Sequence, residues 1–121
     1  MRLWHEQLIE KLPRQQLLGQ HRELAALRGN GWGRSHATVD YVFKYSPYKL
    51  FQFHQLVIQE MLRRGYEPDK LWCQANYRGK NCQPYQHLTA LLLTDPIYPE
   101  HNDDYLKICL LNLANKGIHL S

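Results

Sequence analysis

Apolar positions recur at helical spacing in several stretches of this 121-residue chain, and nowhere do they alternate as in a half-buried strand. The clearest stretch is residues 47–64. Leu50, Phe53, Val57, Ile58, Met61 and Leu62 form one stripe, with Gln52, Gln59, Glu60 and Arg63 expected to face water. Ser46 suits the N-cap, Pro47 the first helical position and Gly65 the stop, while Leu56 breaks the stripe. A second helix is expected over residues 14–28, where Leu17, Leu18, Leu24, Ala25 and Leu27 share a broad face. Residues 5–12 read as a short helix that Pro13 stops or restarts, and residues 36–43 as another, capped by Ser35. A last amphipathic helix over 101–115 carries Tyr105, Leu106, Ile108, Cys109, Leu111 and Leu113, with Gly117 as its stop. The apolar run 87–93 reads as helix rather than strand. Gly29-Asn30-Gly31-Trp32-Gly33 reads as a flexible, turn-rich loop, and residues 66–86 as irregular. The pattern as a whole predicts an all-α fold: one compact helical domain, residues 1–121, with long irregular loops.

Composition narrows the classes. The charged and apolar fractions are those of an ordinary globular chain. No apolar run approaches the roughly 20 residues that cross a bilayer, so no membrane partner is expected. Trp4, His5, Glu6 and Glu10 interrupt any secretory signal, which makes the cytoplasm the expected compartment. Cys73, Cys82 and Cys109 are odd in number and fit no common zinc spacing, so they read as reduced thiols, Cys109 in the core. Residues 1–64 carry ten Lys/Arg against five Asp/Glu, and residues 65–121 five against six. A basic N-terminal half is a footprint of nucleic-acid binding, or of a mildly basic chain with no such partner.

The candidate chemistry lies in that half. On the 14–28 helix, Leu17 and Leu24 define the core direction, so Glu23 projects roughly opposite, with Arg22 about 100° away. Gly19 and Ala26 fill the arc between them, leaving room for a ligand to approach. A carboxylate beside a permanent cation suits a site that holds a polyanion and moves a proton, although an exposed Arg and Glu can equally lack a role. His21 and His54 fall on the apolar faces of their helices. They are proton carriers or ligands, or buried groups hydrogen-bonded near each other, and the pair is too few for a metal site. Arg28 and Arg34 flank Trp32, which either wedges into bases or folds back as a lid. Asn76-Tyr77-Arg78-Gly79-Lys80-Asn81, followed by Tyr85, reads as a stacking and phosphate-contact loop or as a plain surface turn.

These residues carry a family resemblance. The spacing Gln15-x-Leu17-x-x-x-x-Arg22-Glu23-Leu24, close to the start of the chain, resembles the phage-type pyrimidine-dimer DNA glycosylase/AP lyase family. Arg34-Ser35-His36 is similar to that family's Arg-Lys-His segment, and the run from Leu56 to Tyr66 resembles its long helix ending in Leu-Lys-Arg-Gly-Phe. The opening Met1-Arg2-Leu3-Trp4 is similar to that of bacterial relatives. The resemblance covers about the first 66 residues. It implies an all-α fold that binds duplex DNA, kinks it and extrudes a base. It also implies a free α-amine that attacks the sugar C1′ to form an imine, a glutamate at the position of Glu23 for proton transfer and β-elimination, and no metal or cofactor. α-Amines titrate near about 8, far below lysine, so a usable neutral fraction exists at pH 7.

Departures are visible too. Arg2 stands where active members have a small residue, which should leave the amine on Met1. Gln16 replaces a histidine beside the glutamate, and the chain's last residues lack the family's aromatic, basic tail. A different lesion, or plain abasic-site cleavage, is therefore open.

The leading expectation is a DNA glycosylase/AP lyase acting as a monomer on duplex DNA with a damaged or abasic site. Met1 and Glu23 would be catalytic, and Arg2, Arg22, Arg28, Trp32, Arg34 and His36 would contact DNA. The alternatives are a non-catalytic DNA-binding module and a protein-interaction domain sharing the fold.

Overall fold

The computed structural model describes residues 1–120, and among them every regular element is helical. Three α-helices, α1 (Arg14–Arg28), α2 (Pro47–Arg63) and α3 (Asp103–Asn115), are joined by 3-10 turns at Glu6–Lys11, Asp40–Lys44 and Lys70–Cys73. Helix α2 starts as its sequence dictates, with the Ser46 hydroxyl accepting the Tyr48 amide at 3.1 Å and Pro47 in the first turn. It packs mainly against α1.

The core draws Leu17, Leu24 and Leu27 from α1, Leu50, Phe53 and Val57 from α2, and Cys109 and Leu113 from α3. Burying each such leucine or phenylalanine contributes about 1.5–3 kcal/mol. The start of the chain is part of this core rather than a loose end. Leu3, Trp4 and His5 are buried. The Trp4 amide donates to Gln20 Oε1 of α1 at 2.7 Å, the His5 amide to Cys109 Sγ of α3 at 3.4 Å, and the Tyr105 hydroxyl to the Leu3 carbonyl. Two helices therefore grip residues 3–5 and fix where the preceding residues emerge.

The structure corrects several expectations. Residues 87–93 form no helix. They run as an exposed, irregular strap, Leu92 being 91% exposed. Side chains of α2 hold this strap and the residues after it: Gln52 Nε2 donates to the Leu91 carbonyl at 2.9 Å, and Lys49 Nζ to the Ile97 carbonyl beyond it at 2.8 Å. Residues 36–43 hold only the turn Asp40–Lys44. Ser35 does not cap it; the Asp40 carboxylate instead accepts the His36 amide at 2.7 Å. Leu62, Ile108 and Leu111 are exposed, whereas Gln52 and Glu60 are buried. Glu60 is held there by Arg63 and Arg64, at 2.5 and 2.6 Å, which keep its carboxyl below the usual range.

The glycine-rich loop after α1 is tightly bonded. The Gly31 amide returns to the Ala26 carbonyl at 2.9 Å, so close that a Cβ at Gly31 would lie 2.7 Å from that oxygen. A Cβ at Gly29 would meet the Arg78 carbonyl at 2.8 Å, so neither position accepts a side chain without movement.

Candidate active site

The emerging N-terminus lies beside Glu23. Met1, Arg2, Trp4, Glu23, Thr38, Asn112 and Lys116 line one open cavity of about 280 Å³. Each wall has a local cause. Glu23 projects from the middle of α1, Asn112 and Lys116 come from the end of α3, and Thr38 comes from the loop before Asp40–Lys44. The Thr38 hydroxyl donates to the Met1 carbonyl. Three other hollows are larger, about 300, 370 and 420 Å³, but none contains Glu23 or the N-terminus.

Gln20 organises this cavity from beneath. Its side chain is 1% exposed. Its Nε2 donates to Glu23 Oε2 at 3.1 Å and to the Arg2 carbonyl at 3.0 Å, while its Oε1 accepts the Trp4 amide at 2.7 Å. One amide thus ties the first residues of the chain to the candidate acid.

Electrostatics at Glu23 pull both ways. Burial raises its carboxyl above the ordinary value; the N-terminal ammonium, then Arg22 and Lys116, pull it back. The net shift is upward. A half-buried carboxyl raised above its ordinary value, in a cavity with three cations, can accept or return a proton and tolerate a bound phosphate.

Of the other sequence candidates, Arg22 is exposed, with its guanidinium over Gly19: a Cβ there would sit 3.7 Å from Nη2. The arc read as ligand space is thus partly covered by Arg22 itself. Arg34 and His36 are exposed on the loop that supplies Thr38, but do not line the cavity. Trp32 is half-buried and meets Phe43 edge-on, with ring centroids 4.9 Å apart, so it lies back on the core as a lid.

Arg28 requires correction. It is 4% exposed, and its guanidinium donates to the carbonyls of Trp72, Gln74 and Tyr77 at 2.7–3.2 Å, between the Phe51 and Trp72 rings. Burial lowers it to about 10. It anchors the 66–86 segment to α1 and is not presented to a phosphate. Arg78 has a similar task, donating to the carbonyls of Arg28 and Gly29 at 3.0 and 3.1 Å.

Arg28 also fixes the histidine pair. Its Nη1 lies 2.9 Å from His54 Nδ1, and a guanidinium can only donate, so Nδ1 is unprotonated. His54 then carries its hydrogen on Nε2 and donates to His21 Nδ1 at 2.8 Å. Burial and the neighbouring cations hold both histidines below the usual value. They form a hydrogen-bonded pair inside the fold, tied to Arg28.

Sequence reasoning missed Gln20, Thr38, Asn112 and Lys116. Gln20 left a trace: an amide at the edge of an apolar face, three residues before the acid, shares that acid's side of the helix. Thr38, Asn112 and Lys116 reach the cavity only through tertiary folding and left none.

No curated protein and no solved structure matches the chain. A family model described as pyrimidine dimer DNA glycosylase matches residues 1–74, which contain Met1, Arg2, Gln20, Glu23 and Thr38. That match covers more than half of the chain, and the protein belongs to the pyrimidine dimer DNA glycosylase family.

Proposed function

We propose that this protein is a DNA glycosylase with AP lyase activity, in which the amine of Met1 is the nucleophile and Glu23 the acid/base. The observation that carries the reading is the shared cavity of the N-terminus and Glu23, tied together by the buried Gln20 amide. In the proposed sequence the neutral amine attacks C1′ of the damaged nucleotide. The C1′–N bond breaks, and the base leaves with a proton. The nitrogen lone pair then closes an imine as the sugar ring opens, its oxygen protonated from Glu23. The Glu23 carboxylate, having given up its proton, takes one from C2′, and the released electron pair expels the 3′ phosphate, which cleaves the strand. Water returns the amine. On an abasic site the same steps begin at the aldehyde.

Arg2, Arg22 and Lys116 surround the acid and suit the flanking phosphates, and Arg34 and His36 extend the basic surface from the neighbouring loop. The partner is duplex DNA carrying a damaged or abasic site, met by a monomer in the cytoplasm. The test is borohydride trapping on abasic-site duplex. A covalent adduct is expected with the wild type, lost when the α-amine is blocked by acetylation, and formed about 10²- to 10⁴-fold more slowly by Glu23→Gln. No adduct, together with salt-sensitive DNA binding that survives Glu23→Gln, would leave a binding module without chemistry.

A further inference from the structure

A second cavity opens at the C-terminal end of α1. It has a volume of about 300 Å³ and lies between that end and the 78–82 loop, and the loop is beyond the residues of the family match. Ala26 belongs to it and Glu23 to the first cavity. On a helix these positions are 60° apart in projection and about 4.5 Å apart along the axis.

The lining chemistry is one-sided. No carboxylate faces the cavity, and Lys80 sits on its rim. Lys80 and Asn81 have no hydrogen-bond partner of their own among the described residues. The Cys82 thiol donates to Asn30 Oδ1 at 2.8 Å, which engages that amide's oxygen and not its Nδ2 donors. The walls are fixed by the Arg78 hydrogen bonds to the carbonyls of Arg28 and Gly29 and by the Trp72 ring against Gly79. A preformed pocket with amide donors, the Lys80 ammonium and the Arg78 guanidinium suits an anion that only accepts.

We infer that this cleft seats a backbone phosphodiester of the bound DNA, through Lys80, Asn30 and Asn81. The inference rests on the DNA-binding reading for its ligand, but not on the chemistry at Met1 and Glu23.

Cys82 supplies a built-in probe. Alkylation of Cys82, read by mass spectrometry against Cys73, which is outside the cleft, should slow at least fivefold when abasic-site duplex is added. Lys80→Ala should lower the slope of log affinity against log salt by about 0.9, and Lys80→Arg should restore it. Lys107→Ala, an equal change of charge on the exposed face of α3, should leave the slope unchanged. Replacing duplex phosphates one at a time by neutral methylphosphonates should reveal one whose effect on affinity disappears in Lys80→Ala. Unchanged Cys82 alkylation with bound DNA, or a Lys80→Ala slope equal to the wild type, overturns the proposal. Trapping lost while Cys82 remains protected would count against Met1 and Glu23 alone; trapping retained without protection would count against the cleft alone.

Discussion

Replacing Gln20 by leucine should both loosen the fold and misplace the acid. The side chain is buried and makes three hydrogen bonds, to the Trp4 amide, the Arg2 carbonyl and Glu23. Leucine is close in volume, so little of the effect is a cavity. The Trp4 amide would be left buried without an acceptor, at about 1–3 kcal/mol, and losing the bond to Glu23 adds about 1 kcal/mol. The Arg2 carbonyl is nearer to solvent and can find water. A total of about 2–4 kcal/mol lowers Tm by roughly 8–16 °C, at about 4 °C per kcal/mol for a domain of this size. Activity should fall further than stability requires, because a shift of about 1 Å in a reacting group can cost about 100-fold. Thermal unfolding and single-turnover borohydride trapping, the latter well below the variant's Tm, read the two effects separately. A Gln20→Leu protein with the wild-type Tm and trapping rate would refute the reasoning.

Arg28→Leu removes a charged donor from three carbonyls, of which Trp72 and Gln74 keep a second donor, and removes the donor that fixes His54, so chemical denaturation should show a loss of at least about 3 kcal/mol. Gly31→Ala places a Cβ 2.7 Å from the Ala26 oxygen, and should cost about 1–3 kcal/mol in the same assay. Burial holds His54 well below its ordinary value and His101 at about 3. The unfolded chain therefore takes up protons first as pH falls through about 6.5. Native stability, fully present above that pH, should decline by roughly 1 kcal/mol per pH unit for each histidine between 6.5 and its folded value, measured as denaturant midpoint against pH. Glu23 works in the opposite sense. Its raised value gives a contribution that is complete below about 4.5 and lost as pH rises through the folded value, and Glu23→Gln should flatten that part of the profile.

How far the sequence reveals this molecule depends on whether the cause is local. Helix α2 is legible because Ser46, Pro47 and a continuous apolar stripe all lie within it. The Arg22-Glu23 motif and its place near the chain's start are legible for the same reason. Arg28 is not. A basic residue before a glycine loop looks the same whether it meets a phosphate or three distant carbonyls, and those carbonyls lie 44–49 residues away. The 87–93 run misleads because its apolar content predicts burial, whereas side chains of α2 bind its backbone and leave Leu92 outside. The cavity around Glu23 shows both limits: α1 supplies the acid by sequence, and α3 brings Lys116 to it only after folding.

Lys116 makes the most direct test a chemical one, because it is a second amine lining the same cavity. The measurement is the site of attachment. Abasic-site duplex is trapped with borohydride, the adduct is digested, and the modified nitrogen is identified by mass spectrometry. The account predicts the sugar on the α-nitrogen of Met1. A sugar on Nζ of Lys116 or of any other lysine would contradict it.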